Sequence, residues 1–114
     1  MNYAILSQLF PTEFKSNHRF VNFVFDAKER FIDLGLGKKR SLSVLQQLFL
    51  ETKLISIIKK MGYEVSMTTD DCEWEATIYN DGRVTGVDYD AIRVNALLKA
   101  IVQIPLGDNS LCKR

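Results

Sequence analysis

Apolar residues along the chain recur at two periods, and each period marks out its own elements. Tyr3, Ile5, Leu6, Leu9 and Phe10 follow an approximately helical spacing that stops at Pro11, which predicts a short helix over residues 2–10. Residues 20–26 are rich in Phe and Val, and residues 30–36 alternate Ile32, Leu34 and Leu36 with polar or small residues, so the two runs read as a hairpin. Ser43 with Gln46 three positions later is a capping-box pattern that opens a long helix, and Gly62 closes it after Met61. This helix is apolar around more than one stripe, which predicts burial on two sides, the second against the terminal helices or another copy of the chain.

Period two returns after Gly62. Tyr63, Val65 and Met67 alternate with Glu64, Ser66 and Thr68, and Trp74, Ala76 and Ile78 alternate with Glu73, Glu75 and Thr77. The pattern puts Trp74 in the core and Glu64, Glu73 and Glu75 on the wet side. Asn80-Asp81-Gly82 is a hairpin signal that suits a two-residue or a three-residue loop, leaving the register of the next strand open. A final helix over residues 91–104, capped by Asp88 or Asp90, ends at Pro105 and Gly107, and residues 106–114 read as a loose tail. The expected order is helix, two strands, helix, three strands, helix. It amounts to a small single α+β domain over residues 1–114, with mainly antiparallel sheet in two hairpin-like units, a long central helix and a C-terminal helix.

Composition changes this picture little. Of 114 residues, 46% are hydrophobic and 25% charged, which are globular values and exclude a wholly disordered chain. No apolar run is long enough to span a membrane and the start lacks a basic secretory region, so the expected location is the cytoplasm. Cys72, beside acidic residues, and Cys112, in the tail, are the only cysteines, which leaves no disulfide framework or thiolate metal cage and reads as two free thiols.

Charge is more informative. The net value is +1, yet residues 1–60 hold ten Lys/Arg against five Asp/Glu, and residues 61–114 hold five against nine. Between Gly62 and Asp90 there are eight carboxylates and one cation, Arg83. Outward parity places several of those carboxylates on one sheet face, where like charges raise the local field and favour a basic partner. The same charges also serve solubility, or are neutralised within the fold by Lys38, Lys39 and Arg40.

Gly62-Tyr63, Trp74-Glu75-Ala76 and the run from Ala91 to Ala100 resemble the phage ABA sandwich proteins. That family comprises small phage-encoded proteins with a tryptophan on a central strand and a final helix rich in Ala, Ile, Arg and Leu. The resemblance covers the C-terminal half of the chain. It implies a phage-encoded protein in the host cytoplasm and carries no functional residue over.

Other constellations point to less chemistry. Gly35-Leu36-Gly37-Lys38-Lys39-Arg40-Ser41 lies between a strand and a helix, but Ile32 and Lys39 stand where a phosphate-binding P-loop needs Gly and Ser or Thr. What survives is unspecific phosphate contact by Lys38, Lys39 and Arg40, or a solvated loop. Phe20, Phe23, Phe25 and Phe31 near these cations could stack bases, though alternation within strands assigns them to a core. His18 is the only histidine and sits in a polar stretch, and Cys72 lies among acidic residues, a poor setting for a nucleophilic thiolate. Asp70, Asp71 and Glu73 lack the spacing of a calcium loop.

The expectation is a non-enzymatic binding protein, a phage-encoded inhibitor of the anti-defence type. It would engage a basic host protein through Glu64, Asp70, Asp71, Glu73, Glu75 and Asp88, with no cofactor, no metal and a possible homodimer through the central helix. The alternative is a nucleic-acid-binding module using Lys38, Lys39 and Arg40.

Overall fold

In the computed structural model, residues 3, 5–16, 21–24, 31–33 and 42–104 are described. They form two compact units, Met1–Phe49 and Leu50–Arg114. The class is α+β. Among the described residues no helix is long and apolar enough to cross a membrane.

The first unit opens with α1 (Ile5–Leu9), and Pro11 beyond it offers no amide with which the helix could continue. Three strands follow, β1 (Phe14–Ser16), β2 (Val21–Val24) and β3 (Phe31–Asp33), in an antiparallel sheet of order β1-β2-β3. The expected hairpin is the β2–β3 pair, with Phe23 opposite Ile32. Strand β1 is an addition: three residues carry too little alternation to declare themselves, and their pairing partner lies later in the chain. Phe14 sits opposite Phe23 with ring centroids 5.3 Å apart, and both side chains are buried with Tyr3, Leu6 and Phe10. Phe23 is therefore a core residue. Phe20 and Phe25 lie outside the described residues.

Helix α2 (Val44–Lys60) starts where its capping box places it. The Gln46 amide donates to Ser43 Oγ at 3.1 Å, and the Ser43 amide donates to Gln46 Oε1 at 2.9 Å, so two donors with no partner inside the helix are satisfied. At the other end Gly62 takes φ +95°, and the Tyr63 amide turns back to the Ile58 carbonyl at 3.0 Å. Burial is not two-sided along the whole helix. Leu50, Leu54, Ile57 and Ile58 form a buried stripe, whereas Val44, Leu45 and Leu48 in the first turns are exposed.

The second unit continues with β4 (Glu64–Asp70), β5 (Glu73–Asn80) and β6 (Arg83–Asp90), an antiparallel meander. Asn80 closes against Arg83, so the open register resolves as a two-residue loop, Asp81-Gly82, with φ of +55° and +80°. Positive φ at both positions matches the right-handed twist of the flanking strands. A bulge at Ile78/Tyr79 then lets Gly86 face Ile78.

Helix α3 (Arg93–Ile101) packs on β5 and β6 and buries Val94, Ala96, Leu97, Leu98, Ala100 and Ile101. It begins two residues later than the periodicity implies. Asp90 Oδ1 accepts the Ile92 amide at 2.8 Å, forming a turn before the helix rather than a side-chain cap on it.

Candidate functional site

Strand pairing in the second unit sorts the acidic residues by face. Glu64 lies opposite Tyr79, Ser66 opposite Thr77, Thr68 opposite Glu75 and Asp70 opposite Glu73; on the other side Glu75 lies opposite Tyr89 and Thr77 opposite Val87. Directly paired residues point the same way. Glu64, Asp70, Glu73, Glu75 and Tyr89 therefore share one face, and Ala76 and Ile78, both fully buried, mark the opposite one.

The carboxylates are not evenly spread. Asp70, Glu73 and Glu75 crowd the end of the sheet at the Asp71-Cys72 turn, where Asp71 takes φ +55°. Glu64 lies at the other end of β4, roughly 20 Å away at the usual rise per strand residue. Beside the turn is an open cleft of about 570 Å³ lined by Asp70, Asp71, Cys72, Glu73, Glu75, Tyr89 and Ala91. Among the described residues no cation pairs with Asp70, Asp71, Glu73 or Glu75.

Glu75 is held in place from both neighbouring strands. Thr68 Oγ1 donates to Glu75 Oε1 at 3.2 Å, and the Tyr89 hydroxyl donates to Glu75 Oε2 at 3.0 Å. That hydrogen bond, followed by the negative charge of the same carboxylate, raises the pKa of Tyr89 above its usual value. Glu75→Gln should bring the phenol's titration back down, read as tyrosinate absorbance against Tyr89→Phe; an unmoved curve would show that the contact does not persist in solution. Because the folded-state value is the raised one, this contribution to stability is present below the ordinary tyrosine pKa and fades as pH rises through the raised value.

Asp88 stands apart from this group. Its parity matches Ala76, which turns it toward the helix side, where it accepts from Gln103 Nε2 at 3.0 Å and lies 3.7 Å from Lys99 Nζ. Asp90 is likewise 3.5 Å from Lys99 Nζ. Of the six acidic residues named from the sequence, the structure brings four to one end of one sheet face or its turn, leaves Glu64 at the far end of that face and places Asp88 on the other.

Trp74 keeps the inward parity but is not a fully buried core residue. It lies near the end of β5, opposite Thr69 and Asp90, and is covered by the Arg93 guanidinium 4.7 Å from the ring centroid. Arg93 Nε in turn donates to Glu51 Oε1 at 2.8 Å and Oε2 at 2.7 Å. Glu51 is almost buried, with its side chain 10% exposed. Helical periodicity alone gave no sign of this link between α2, α3 and β5, since its members lie far apart in sequence.

Lys38, Lys39, Arg40, His18 and Cys112 lie outside the described residues. Cys72 is a free, exposed thiol on the cleft. Among the described residues no group of three or more His, Cys, Asp or Glu side chains is arranged to hold a metal ion. Sequence reasoning missed Thr68 and Tyr89, which period two could have offered once the register across β4, β5 and β6 was known. Compared with known proteins, the chain matches no family model, no curated protein and no solved structure.

Proposed function

We propose that this chain is a non-enzymatic binding protein that docks its acidic sheet face on a basic protein surface. A small phage-encoded inhibitor of the anti-defence type, occupying the groove in which a host protein holds nucleic acid, is the role such a face suits. The observation that carries the reading is the group Asp70, Glu73 and Glu75, rigid on paired strands and without a cation partner among the described residues. Uncompensated like charges on a stiff scaffold produce a field that steers oppositely charged partners. The exposed Val44, Leu45 and Leu48 are the surface on which the expected homodimer would rest.

Association with polylysine, followed by stopped flow at low and at physiological salt, tests the face. Glu73→Gln/Glu75→Gln should slow association at least about tenfold at low salt and much less at the higher salt, where charges are screened beyond roughly 8 Å. Glu13→Gln/Asp81→Asn removes as much charge elsewhere and should have a small effect. Equal slowing by the two double variants would reduce the face to net charge and sink the proposal.

A further inference from the structure

The two edges of the second sheet are treated differently. On β6, the Val87 amide donates to Gln103 Oε1 at 3.1 Å and Gln103 Nε2 donates to the Val87 carbonyl at 2.7 Å, so one side chain following α3 takes the place of a neighbouring strand. Lys99 Nζ donates to the Tyr89 carbonyl at 2.7 Å, and the Tyr89 amide is taken by Asp88 Oδ1 at 2.8 Å. This edge is sealed. Side chains that satisfy an edge in this way prevent another strand from adding to it.

The outward direction of Val87 and Tyr89 also settles which groups β4 presents. Val87 pairs with Thr77 and Tyr89 with Glu75, so Thr77 and Glu75 turn their backbone groups to β4, where they meet Ser66 and Thr68. Ser66 and Thr68 bond inward to β5, and the alternate residues Val65, Met67 and Thr69 turn their amides and carbonyls outward. No hydrogen bond to those outward groups is made among the described residues. Thr69 and the outer-face Thr68 and Asp70 are exposed.

We infer that the open edge of β4 receives an extended segment of a partner, running antiparallel, with Lys or Arg alternating with aliphatic residues. Resting on the acidic-face reading, the inference adds the form of the ligand. Only an extended backbone matches outward donors and acceptors spaced along a strand. Its residues opposite Glu64, Ser66, Thr68 and Asp70 fall on the acidic face, within cross-strand reach of Glu64 and Asp70 and roughly 10 Å, two strand spacings, from Glu73 and Glu75 on β5, and there they are cations. Its residues opposite Val65 and Met67 fall on the other face, beside half-buried apolar side chains, and there they are aliphatic. A second copy of this chain fits worse: antiparallel pairing centred on Met67 sets Glu64 against the other copy's Asp70, a direct like-charge opposition.

The test uses a short fluorescent peptide alternating Lys and Val, with two modified forms carrying N-methyl groups either on the Val residues or on the Lys residues. Both forms keep the charge and composition. In the proposed register the Val amides face β4 and the Lys amides face solvent. Binding followed by anisotropy at low salt should weaken at least about tenfold for the Val-methylated form, the worth of one or two net hydrogen bonds, and stay within about twofold for the Lys-methylated form. Equal loss from both modifications, loss from neither, or no binding of the parent peptide overturns the edge. Sensitivity to Glu73→Gln/Glu75→Gln without sensitivity to methylation leaves the acidic face standing and removes the edge, whereas the reverse pattern removes the face.

Discussion

Gly86→Ala is expected to destabilise the second unit by about 3 kcal/mol, the upper part of the range for forcing a methyl group into a packed site. An ideal Cβ at this position would run into the Ala100 carbonyl oxygen and lie 3.3 Å from its carbonyl carbon. Both are backbone atoms of α3, so no side-chain rotation relieves the clash and the helix itself must lift from β6. Lifting it would open the interface that buries Leu97, Leu98 and Ile101 against the sheet. Gly82→Ala is the contrasting case. A Cβ there meets nothing within 4 Å, but φ is +80°, so the expected loss is the left-handed backbone penalty of roughly 1–2 kcal/mol. Urea unfolding of the two variants measures the difference. Equal losses would mean that α3 yields easily and that the close approach at Gly86 is not a constraint.

Arg93→Met is the second large effect, expected to cost about 2 kcal/mol, the middle of the usual penalty for leaving a buried polar group unpaired. The loss arises at Glu51, whose nearly buried carboxylate would lose both hydrogen bonds from Arg93 Nε. Removal of the cation over Trp74 adds about 0.5–1 kcal/mol, since Arg93 remains 42% exposed and the contact is partly wet. Adding Glu51→Met to the same variant should restore most of the stability, because two apolar side chains of similar size leave no orphaned charge. The unfolding midpoints of the wild type, both single variants and the double variant form a cycle. If the two single losses simply add, Glu51 is hydrated without Arg93 and the pair contributes little.

The acidic face shows how far local pattern carries. Period two in Glu73-Trp74-Glu75-Ala76-Thr77-Ile78 was enough to separate the wet face from the buried one, and Ala76 and Ile78 are fully buried as that parity requires. The crowding of Asp70, Asp71 and Glu73 at a strand connection was legible too, but not the hydrogen bonds from Thr68 and Tyr89 to Glu75, because those depend on which residues of β4 and β6 lie opposite it. A shift of one residue in either pairing would send Tyr89 or Thr68 to the other face and leave Glu75 without its hydrogen bonds. Asp88 illustrates the limit from the other direction. Its charge counts toward the acidic segment, yet its parity on β6 and the position of α3 place it beside Lys99 and Gln103.

Taken by itself, the amino-acid order determined whatever rests on interactions a few residues apart. The Ser43–Gln46 cap, the glycine that ends α2, the inward and outward sides of β4 and β5, and the presence of a tight turn at Asn80-Asp81-Gly82, though not its length, all belong here, because each depends on a short side-chain reach, a φ preference or the pleat. Tertiary structure decided the remainder: the extra strand β1, the partly buried Trp74 under Arg93, the pairing of Glu51 across 42 residues, the Gly86 approach to α3, and the sealing of the β6 edge by Gln103 and Lys99. These depend on which distant segments come into contact. Hydrophobic periodicity specifies that a face must be covered but not what covers it, so register, helix placement and the company each carboxylate keeps emerge only when the whole chain packs.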